Sequence, residues 1–386
     1  MKQGWQIKHI NELSVSLDSK RVPITKHIRN NGEIPYYGAS GIVDYVEDYL
    51  FDEDLLLVSE DGANLLTRTY PIAFSISGKT WVNNHAHVLR FENSFTQKFV
   101  EMFLNSIRLD DFVSGMAQPK LNQTMLNKIP IPLPAHLEQI RIINILNNVI
   151  TAIDKAKANA KQNLKNAKEL FESYLQSVFE NNGDDWEEKK IIEVCEIKPQ
   201  KQEARDKLRS NDFVTFLPME DLGVLNKEIV GVKERQFKDV SGSYTYFANN
   251  DVLLAKITPC FENGKIGIAR NLVNGIGFGS SEYIVFRVQE KIETEYLYYF
   301  LSRNQIREEG KRYMSGAVGH KRVSKDWIEN YVIAFPKSKN VQQTIVQKLD
   351  ALSTETKKLD AIYKKKLEDL EELKKSILQK AFMGEL

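Results

Sequence analysis

The sequence predicts an α+β protein with two similar globular modules and two long antiparallel α-helices that pack as a coiled-coil spacer. Three observations indicate this fold: the second half repeats the first, each copy contains short strand-like runs, and each copy closes in a long charged segment with helical periodicity. Each module has roughly 130 to 150 residues, a usual domain size. The predicted boundaries are 1–134 for the first module, 135–182 for the central helix, 183–336 for the second module and 337–386 for the C-terminal helix.

The repeat is visible at five places, and the shift between the copies grows from 181 residues at the first to 203 at the last. Because the shift grows most between the first two places, the second copy should carry an extra loop there. The strand-like runs that begin at Asp54 and Val88 recur at one shared shift of 197. The aligned places are Trp5 with Trp186, Asp54 with Asp251, Val88 with Val285, Leu121 with Val323, and residues 149–179 with residues 352–382.

A seam of apolar residues runs along the last segment of each copy at steps of three and four, which places them on one face of a helix. At 1.5 Å per residue, each helix would be roughly 60 Å long. The matching seams predict that the two helices pack on each other. The seam residues are Val149, Ile153, Ala156, Ala160, Leu164, Ala167, Phe171, Tyr174 and Val178 in the first copy, and Leu352, Leu359, Tyr363, Leu367, Leu370, Ile377 and Ala381 in the second.

The composition is that of an ordinary globular protein, with 42% hydrophobic residues, 27% charged residues and a net charge of +1. No apolar run approaches the roughly 18 residues of a membrane span, and no signal-peptide segment is recognised, so we expect a cytoplasmic protein without membrane association. Cys195 and Cys260 lack CxxC spacing, and therefore neither a disulfide framework nor a zinc site is expected. The near-neutral charge does not exclude nucleic acid, because basic residues cluster locally.

No catalytic or metal-binding site is predicted. The sequence has no GxxxxGK[ST] phosphate loop, and the glycine-rich segment 275–279 leads into a strand rather than a helix. The HxH pair that begins at His85 has no third ligand at a useful spacing. Asp251, Glu262 and Lys265 resemble the acidic pair and lysine of magnesium-dependent nucleases, but Glu262 and Lys265 would point to opposite faces of a strand.

The remaining candidates are polar loops that follow strands in both copies. Asn at a loop tip can pair with adenine and Lys with guanine, while glycine permits close approach of the backbone. We therefore take these loops as candidate DNA contacts, with ordinary loop packing as the alternative for each residue. The candidates are Ser59, Asn64, Arg68, Lys79, Asn83, Asn84, Gln118 and Lys120 in the first copy, and Lys256, Thr258, Asn263, Lys265, Ser280, Ser281, His320, Lys321 and Arg322 in the second.

Several segments carry a resemblance to a known family. The order of module, long helix, module and long helix resembles the DNA-specificity (S) subunit of type I restriction-modification enzymes, over essentially the whole chain. GMAQPKLNQTMLNKIPIPLP, TPCFENGK and LKKSILQKAFMGEL are similar to segments of that family. GANLLTRTYPIAFSISGKTWVNNHAHVL resembles one class of its recognition domains.

The resemblance implies that the modules are target-recognition domains, each reading one half of a split site on double-stranded DNA. It further implies that the paired helices fix the gap and dock two methyltransferase subunits, and that motor-nuclease (restriction) subunits join for cleavage. S-adenosylmethionine, ATP and Mg²⁺ are then expected in those partners, with no cofactor in this chain. A non-catalytic role agrees with the lack of an NPPF-like adenine-methylation tetrad. A tandem protein-binding adaptor without DNA contact remains the alternative, whereas a fused methyltransferase would need more residues than the repeat leaves.

Overall fold

The computed structural model describes residues 2–115, 117–181, 183–231, 233–317 and 319–386. The chain forms two compact units, of which the first comprises Met1–Lys161 with Lys364–Leu386 and the second Gln162–Tyr363. Both units include parts of two 45-residue helices, here named the central helix (His136–Glu180) and the C-terminal helix (Lys339–Met383). The predicted boundaries instead treat each helix as a separate segment, and they stay a prediction. No described helix combines the length and apolar character needed to cross a bilayer.

The described residues of the first unit form two four-stranded sheets and a two-stranded pair. The antiparallel sheet has the strand order Ser14–Ser16, Ala86–Phe91, Leu55–Ser59 and Ala73–Ile76. The mixed sheet has the order Gly41–Val46, Ile34–Gly38, Lys79–Val82 and Phe51–Asp52, with its central pair parallel. Gln6–Lys8 pairs with Ile131–Leu133. The shorter helices are Ile10–Leu13, Asn64–Thr67, Ser94–Ser106 and Gln123–Leu126, with 3₁₀ turns at Asp18–Lys20 and Lys26–Ile28.

The second unit has the same two sheets in the same strand order, so the predicted repeat is confirmed. Its antiparallel sheet runs Cys195–Ile197, Tyr283–Val288, Val252–Ala255 and Ile266–Ile268. Its mixed sheet runs Lys233–Gln236, Phe213–Leu217, Ile276–Gly279 and Thr245–Ala248. The two-stranded pairs are Trp186–Lys190 with Val332–Pro336, and Met314–Ser315 with Arg322–Val323. The other helices are Ile191–Val194, Gln202–Lys207, Phe237–Val240, Thr294–Ser302, Asn304–Arg312 and Lys325–Asn330, with 3₁₀ turns at Met219–Asp221 and Val273–Gly275.

The extra loop of the second copy connects two neighbouring strands of its mixed sheet. In the first unit the strands Ile34–Gly38 and Gly41–Val46 are joined by a tight turn. The equivalent strands of the second unit end at Leu217 and begin again at Lys233, with a long connection between them. This is the interval in which the sequence comparison predicts the insertion.

The central strand Leu55–Ser59 is buried over its whole length. Leu56 and Val58 pack with apolar residues of the helices, whereas Leu55 and Leu57 pack into a second cluster on the other face of the sheet. A strand that is covered on both faces is apolar throughout rather than alternating. The run of four apolar residues after Asp54 reflects this burial.

Strand pairing corrects one step of the predicted alignment. Leu56 lies opposite Leu89 in the first unit, and Val252 lies opposite Phe286 in the second. Since Leu89 and Phe286 are equivalent at the shift of 197, Leu56 is equivalent to Val252 at a shift of 196. The match of Asp54 with Asp251, at a shift of 197, is therefore one residue out of register. A shift of one residue exchanges the two faces of a strand. The similar apolar residues after each aspartate conceal this offset, because both faces of the strand are apolar.

Cross-helix ion pairs join the two long helices within the first unit. Asp154 lies 3.3 Å from Lys374, and Lys157 pairs with Glu371. Three residues forward along one helix correspond to three residues backward along the other, so the pairing is antiparallel, as predicted. Ile153 is 4% exposed in the same stretch, and Val149, Leu367, Leu370 and Ile377 are partly buried.

Within the second unit the helices are joined by an ion pair of 2.9 Å between Lys168 and Asp360. Leu164, Phe171 and Leu352, which are predicted seam residues, are partly buried.

Two predicted seam positions are corrected. Leu359 is 38% exposed, whereas the next residue, Asp360, is partly buried and pairs across the helices. Tyr174 is 37% exposed, whereas Leu175 is 1% exposed and packs in the core of the second unit. The seam advances from Phe171 by a step of four, which brings Leu175 rather than Tyr174 to the inner face.

Candidate nucleic-acid interface

Three loops converge in the first unit at the end of its central buried strand. The Glu60 N–H donates to the His85 carbonyl oxygen at 2.9 Å, and the Leu121 N–H donates to the Glu60 carbonyl oxygen at 2.8 Å. The Gly62 N–H donates to the Pro119 carbonyl oxygen at 2.9 Å. Backbone hydrogen bonds thus hold together three of the segments that the sequence predicts as DNA contacts.

A buried charged network supports these loops. The His87 Nδ1 lies 2.6 Å from the Asp18 carboxylate, and its Nε2 lies 2.8 Å from the Leu121 carbonyl oxygen. The Arg21 guanidinium donates to the Glu60 carboxylate at 2.6 Å. The network joins residues from the loop at position 18, the central strand and the closing loop, and it fixes their relative positions.

Opposing effects set the pKa of both carboxylates in this network. Burial acts to raise the pKa of Asp18, but hydrogen bonding and the charge of His87 outweigh it and hold that pKa below its ordinary value. Burial likewise acts to raise the pKa of Glu60, yet the hydrogen bond from Arg21 and the charges of His87 and Arg21 lower it overall. Both groups are therefore held as carboxylates near neutral pH.

Within the described ranges, one set of side chains has ligand atoms close enough together to hold a metal ion, and it belongs to this network. Ligand atoms of Asp18, Glu60 and His87 lie within 4.8 Å of one another. The Arg21 guanidinium already donates to Glu60 and lies 3.5 Å from Asp18. Since an arginine supplies the positive charge and His87 is bonded at both ring nitrogens, the donors favour a hydrogen-bonded network over a metal centre.

Three candidates of the first copy are exposed on the converging loops. Asn84 lies in the turn before His85, and Gln118 and Lys120 lie in the closing loop. The Lys120 ammonium group is 3.2 Å from the Glu60 carboxylate. These three side chains are accessible to a duplex.

Three other candidates make hydrogen bonds within the first unit. Ser59 is fully buried, and its hydroxyl donates to the Ala39 carbonyl oxygen. The Asn64 side-chain amide accepts from the Tyr70 N–H at 2.9 Å and donates to the Tyr70 carbonyl oxygen at 3.0 Å. Asn83 is 7% exposed and accepts from the backbone N–H two residues further on. These hydrogen bonds stabilise the conformation of the loops.

Arg68 and Lys79 lie outside the converging loops. The Arg68 guanidinium donates to the carbonyl oxygens of Leu104 and Ile107, at 3.4 and 2.6 Å, and so satisfies the end of the helix Ser94–Ser106. The Lys79 ammonium group lies over the Tyr49 ring at 4.7 Å from its centroid. For Arg68, bonding to the helix-end carbonyl oxygens accounts for the position of the side chain without DNA.

The second unit brings together the equivalent three loops. The Lys256 N–H donates to the Glu282 carbonyl oxygen at 2.9 Å, and the Val323 N–H donates to the Lys256 carbonyl oxygen at 2.9 Å. The Thr258 N–H donates to the Lys321 carbonyl oxygen, also at 2.9 Å. The first two bonds reproduce the pattern around Glu60, so Lys256 occupies the position that Glu60 has in the first unit.

The central position of the loop cluster has reversed charge, with Lys256 in place of Glu60. Arg322 binds the Glu282 carboxylate with contacts of 2.7 and 2.9 Å, and this hydrogen bonding lowers the pKa of Glu282. The Lys256 ammonium group donates to the Ser281 carbonyl oxygen at 3.0 Å. Asn263, Ser281, His320 and Lys321 are exposed beside them.

Three candidates of the second copy are bonded internally. The Thr258 hydroxyl donates to Glu262 at 2.9 Å, and the Lys265 ammonium group donates to the Met219 carbonyl oxygen at 2.7 Å. The Ser280 hydroxyl accepts from the N–H two residues further on, at 3.2 Å. These side chains stabilise the loops that present the exposed ones.

Two lysines near this cluster were missed by sequence reasoning. Lys198 and Lys201 line a cleft together with Lys256 and Ser281. They follow the strand Cys195–Ile197, which pairs with Tyr283–Val288 and so lies close to the converging loops. The signal available in the sequence was a pair of basic residues directly after a strand.

Comparison with known proteins gives a consistent result. The family model described as type I restriction modification DNA specificity domain matches residues 2–166 and again residues 183–372. A Haemophilus influenzae protein named as a type I restriction enzyme specificity subunit is 28% identical over 254 residues, 64% of this chain and 64% of that protein. The EcoAI specificity subunit of Escherichia coli is 33% identical over 201 residues, 51% of this chain and 33% of that protein. The matches thus span less than two thirds of these relatives, and they give no support to a protein adaptor.

Two solved structures share the fold. A chain from a study of complex assembly and conformational transition of the type I R-M system superposes with a TM-score of 0.72, at 17% identity, over 100% of this chain and 99% of that one. The HsdS subunit from Thermoanaerobacter tengcongensis superposes with a TM-score of 0.57, also at 17% identity, over 100% and 98%. Both cover the two modules and both long helices.

Proposed function

This chain belongs to the type I restriction-modification DNA specificity family, and on that premise we propose that it is the DNA-recognition subunit of a multisubunit adenine methyltransferase and endonuclease. The observation that carries the proposal is the convergence of equivalent loops in both units. Backbone bonds around Glu60 in the first unit and Lys256 in the second hold the loops in the same arrangement. A chain with two such loop clusters is suited to reading two halves of a divided site.

The exposed side chains of these clusters supply the chemistry for base reading. Amide side chains such as Asn84 and Gln118 can make paired hydrogen bonds to adenine, and lysine can donate to guanine in the major groove. In the second unit, Asn263, His320 and Lys321 offer both donors and acceptors. Buried networks fix the loop backbones, so the reading groups are held in place before DNA arrives.

The long helices would fix the gap between the half-sites and bind two methyltransferase subunits. Within each unit the helices combine an apolar seam with cross-helix ion pairs such as Lys157–Glu371 and Lys168–Asp360. Their outer positions are largely polar, which suits an exposed surface that binds a partner. Motor-nuclease subunits would join the same assembly for cleavage.

The chemistry of the assembly would belong to the partner subunits. S-adenosylmethionine would be bound by the methyltransferase subunits, and ATP with Mg²⁺ by the motor-nuclease subunits. The residues of this chain would position the duplex, and the target adenine would be turned out of the helix into the partner's site. The chain itself is proposed to be non-catalytic.

The test is to co-express the chain with its cognate methyltransferase subunit and to map N6-methyladenine across the host genome by single-molecule sequencing. We expect one divided motif with a fixed gap. Cells that express the methyltransferase subunit alone provide the control. A stable complex that methylates no defined motif would contradict the proposal.

A further inference from the structure

A basic cleft lies in the second unit beside its converging loops. Its volume is about 380 Å³, and its lining includes Lys198, Lys201, Lys256 and three tyrosines. Hydroxyl and amide groups complete the lining, and none of the described residues that form it is acidic. The cleft therefore offers positive charge and hydrogen-bond donors in a recess.

Two of the three lysines, Lys201 and Lys256, are held mainly by neutral carbonyl groups. The Lys201 ammonium group donates to the Gly242 carbonyl oxygen at 2.5 Å, and that of Lys256 donates to the Ser281 carbonyl oxygen at 3.0 Å. Lys256 also lies 3.9 Å from Glu282, whose carboxylate is already bound by Arg322. Most of the positive charge of the cleft is thus left without a nearby carboxylate.

Lys198 is the most accessible of the three. It has a left-handed backbone with φ of 59°, and its N–H donates to the Val285 carbonyl oxygen at 2.8 Å. Its side chain is exposed and forms no hydrogen bond or ion pair with any residue of the described ranges. The ammonium group is therefore available to a ligand.

Mutual repulsion among these groups favours an anion. Burial lowers the pKa of Lys201, and the nearby charges of Arg205 and Lys198 lower it further. A bound anion would offset this repulsion and stabilise the charged form of each lysine. Lysine, serine, glutamine and tyrosine side chains are the groups through which proteins commonly contact the phosphates of DNA.

The cleft is continuous with the proposed reading surface. Lys256 and Ser281 belong both to its lining and to the converging loops of the second unit. A duplex with its base edges at those loops would bring its sugar-phosphate backbone alongside them. The cleft is where such a backbone would meet the cluster of lysines.

The first unit has another type of residue at two of the three positions that correspond to these lysines. The Leu17 N–H donates to the Val88 carbonyl oxygen as the Lys198 N–H does to that of Val285, so Leu17 takes the place of Lys198. Leu17 is 5% exposed, and Glu60 takes the place of Lys256. Lys198 and Lys256 are thus specific to the second unit, whereas the exposed Lys20 of the first unit takes the place of Lys201.

We propose that this cleft binds phosphate groups of the target duplex next to the half-site read by the second unit, and that it supplies sequence-independent affinity. The inference rests on the proposed function and adds to it a phosphate site outside the predicted base contacts. The second unit would then contribute more of the salt-dependent affinity for DNA than the first unit.

The test uses the complex with the methyltransferase subunit and measures the dissociation constant for DNA over a range of salt concentrations. Lys198→Ala, and Lys198→Ala combined with Lys201→Ala, are compared with Lys238→Ala, an exposed lysine of the same unit that does not line the cleft. Each lost phosphate contact should reduce the slope of log K against log salt by about 0.9. Lys198→Arg should keep the wild-type slope.

Two duplexes separate the outcomes, one with the mapped motif and one with both half-sites scrambled. We expect the cleft variants to lose affinity by the same factor on both duplexes and to methylate the same motif. An unchanged slope for Lys198→Ala, or a loss confined to the motif duplex, would overturn the phosphate assignment. If the wild-type complex itself makes no distinction between the duplexes, the proposed function fails and the cleft assignment fails with it.

Discussion

The Gln342 side chain donates a hydrogen bond to the Pro336 carbonyl oxygen at 2.8 Å, from the first turns of the C-terminal helix back to the strand that precedes it. Gln139, the equivalent residue of the central helix, donates to the Pro134 carbonyl oxygen at 2.9 Å. Gln342 is fully buried and also bonds the backbones of Lys291 and Glu293. The same buried amide thus fixes the start of each long helix to its own unit.

Replacing this amide should destabilise the second unit. Gln342→Leu keeps most of the side-chain volume but leaves the Pro336 and Lys291 carbonyl oxygens and the Glu293 N–H without their partner. We expect a loss of about 3 kcal/mol in the free energy of unfolding, since each buried unpaired group costs about 1–3 kcal/mol. Gln343→Leu, at the exposed neighbouring position, is the control for urea-induced unfolding. Equal losses in the two variants would show that the buried amide has no special role.

The corrected helix seam makes a second prediction. Leu175 is 1% exposed in the core of the second unit, whereas Leu170 on the same helix is 65% exposed. Leu175→Ala should lower the free energy of unfolding by about 2–5 kcal/mol, because a cavity is left in the core. Leu170→Ala should change it by less than about 0.5 kcal/mol. Thermal and urea unfolding measure both, and a larger loss at Leu170 would refute the assigned helix face.

The charged network below the first loop cluster predicts a pH-dependent stability. The pKa of Glu60 is lowered in the folded protein from its ordinary value of 4.5. Its carboxylate therefore contributes stability that is complete above pH 4.5 and is lost as the pH falls through the lowered pKa. Glu60→Gln should cost about 2 kcal/mol at pH 7, through weaker bonds to Arg21 and Lys120.

The measurement for Glu60 is urea unfolding of the wild type and the variant between pH 7 and pH 3. The difference between them should shrink below pH 4.5, where the wild-type carboxylate is progressively protonated. Glu92→Gln, at an exposed position, serves as the control. A difference that stays constant over the whole range would mean that the charge of Glu60 does not stabilise the fold.

Variants of Arg68 and Asn84 distinguish a structural role from a DNA-binding role in the first unit. Arg68→Ala should lower the free energy of unfolding by about 1–3 kcal/mol, because the helix-end carbonyl oxygens of Leu104 and Ile107 lose their donor. The folded fraction should keep its DNA preference. Asn84→Ala should leave stability unchanged and weaken binding to one half-site. Unfolding curves and binding to duplexes altered in each half-site give the two results, and a reversal of the two phenotypes would exchange the assigned roles.

The sequence predicted the architecture well because its signals are local or periodic. The seam from Ile153 onwards and the recurring strand runs required no knowledge of distant contacts. The predicted seam was wrong at Tyr174 and Leu359, because Leu175 is the residue buried in the core and Leu359 is more exposed than the neighbouring Asp360.

The candidate site was harder to predict, since a polar side chain can either make hydrogen bonds within the fold or be exposed to a ligand. Arg68 and Lys265 bind backbone carbonyl oxygens more than 30 residues away in sequence, and no local pattern indicates this. Lys198 becomes a candidate only when strand pairing brings it to the cleft with Lys256. The assignment of individual DNA contacts stays a prediction.

The opposite charges at equivalent positions bear on the symmetry of the target. A palindromic site reads the same on both strands and would call for two identical reading surfaces. This chain has Glu60 where its second copy has Lys256, and a buried Leu17 where the second has an exposed Lys198. Two half-sites read by such unlike surfaces should differ in sequence, so the complete target has a defined direction along the DNA.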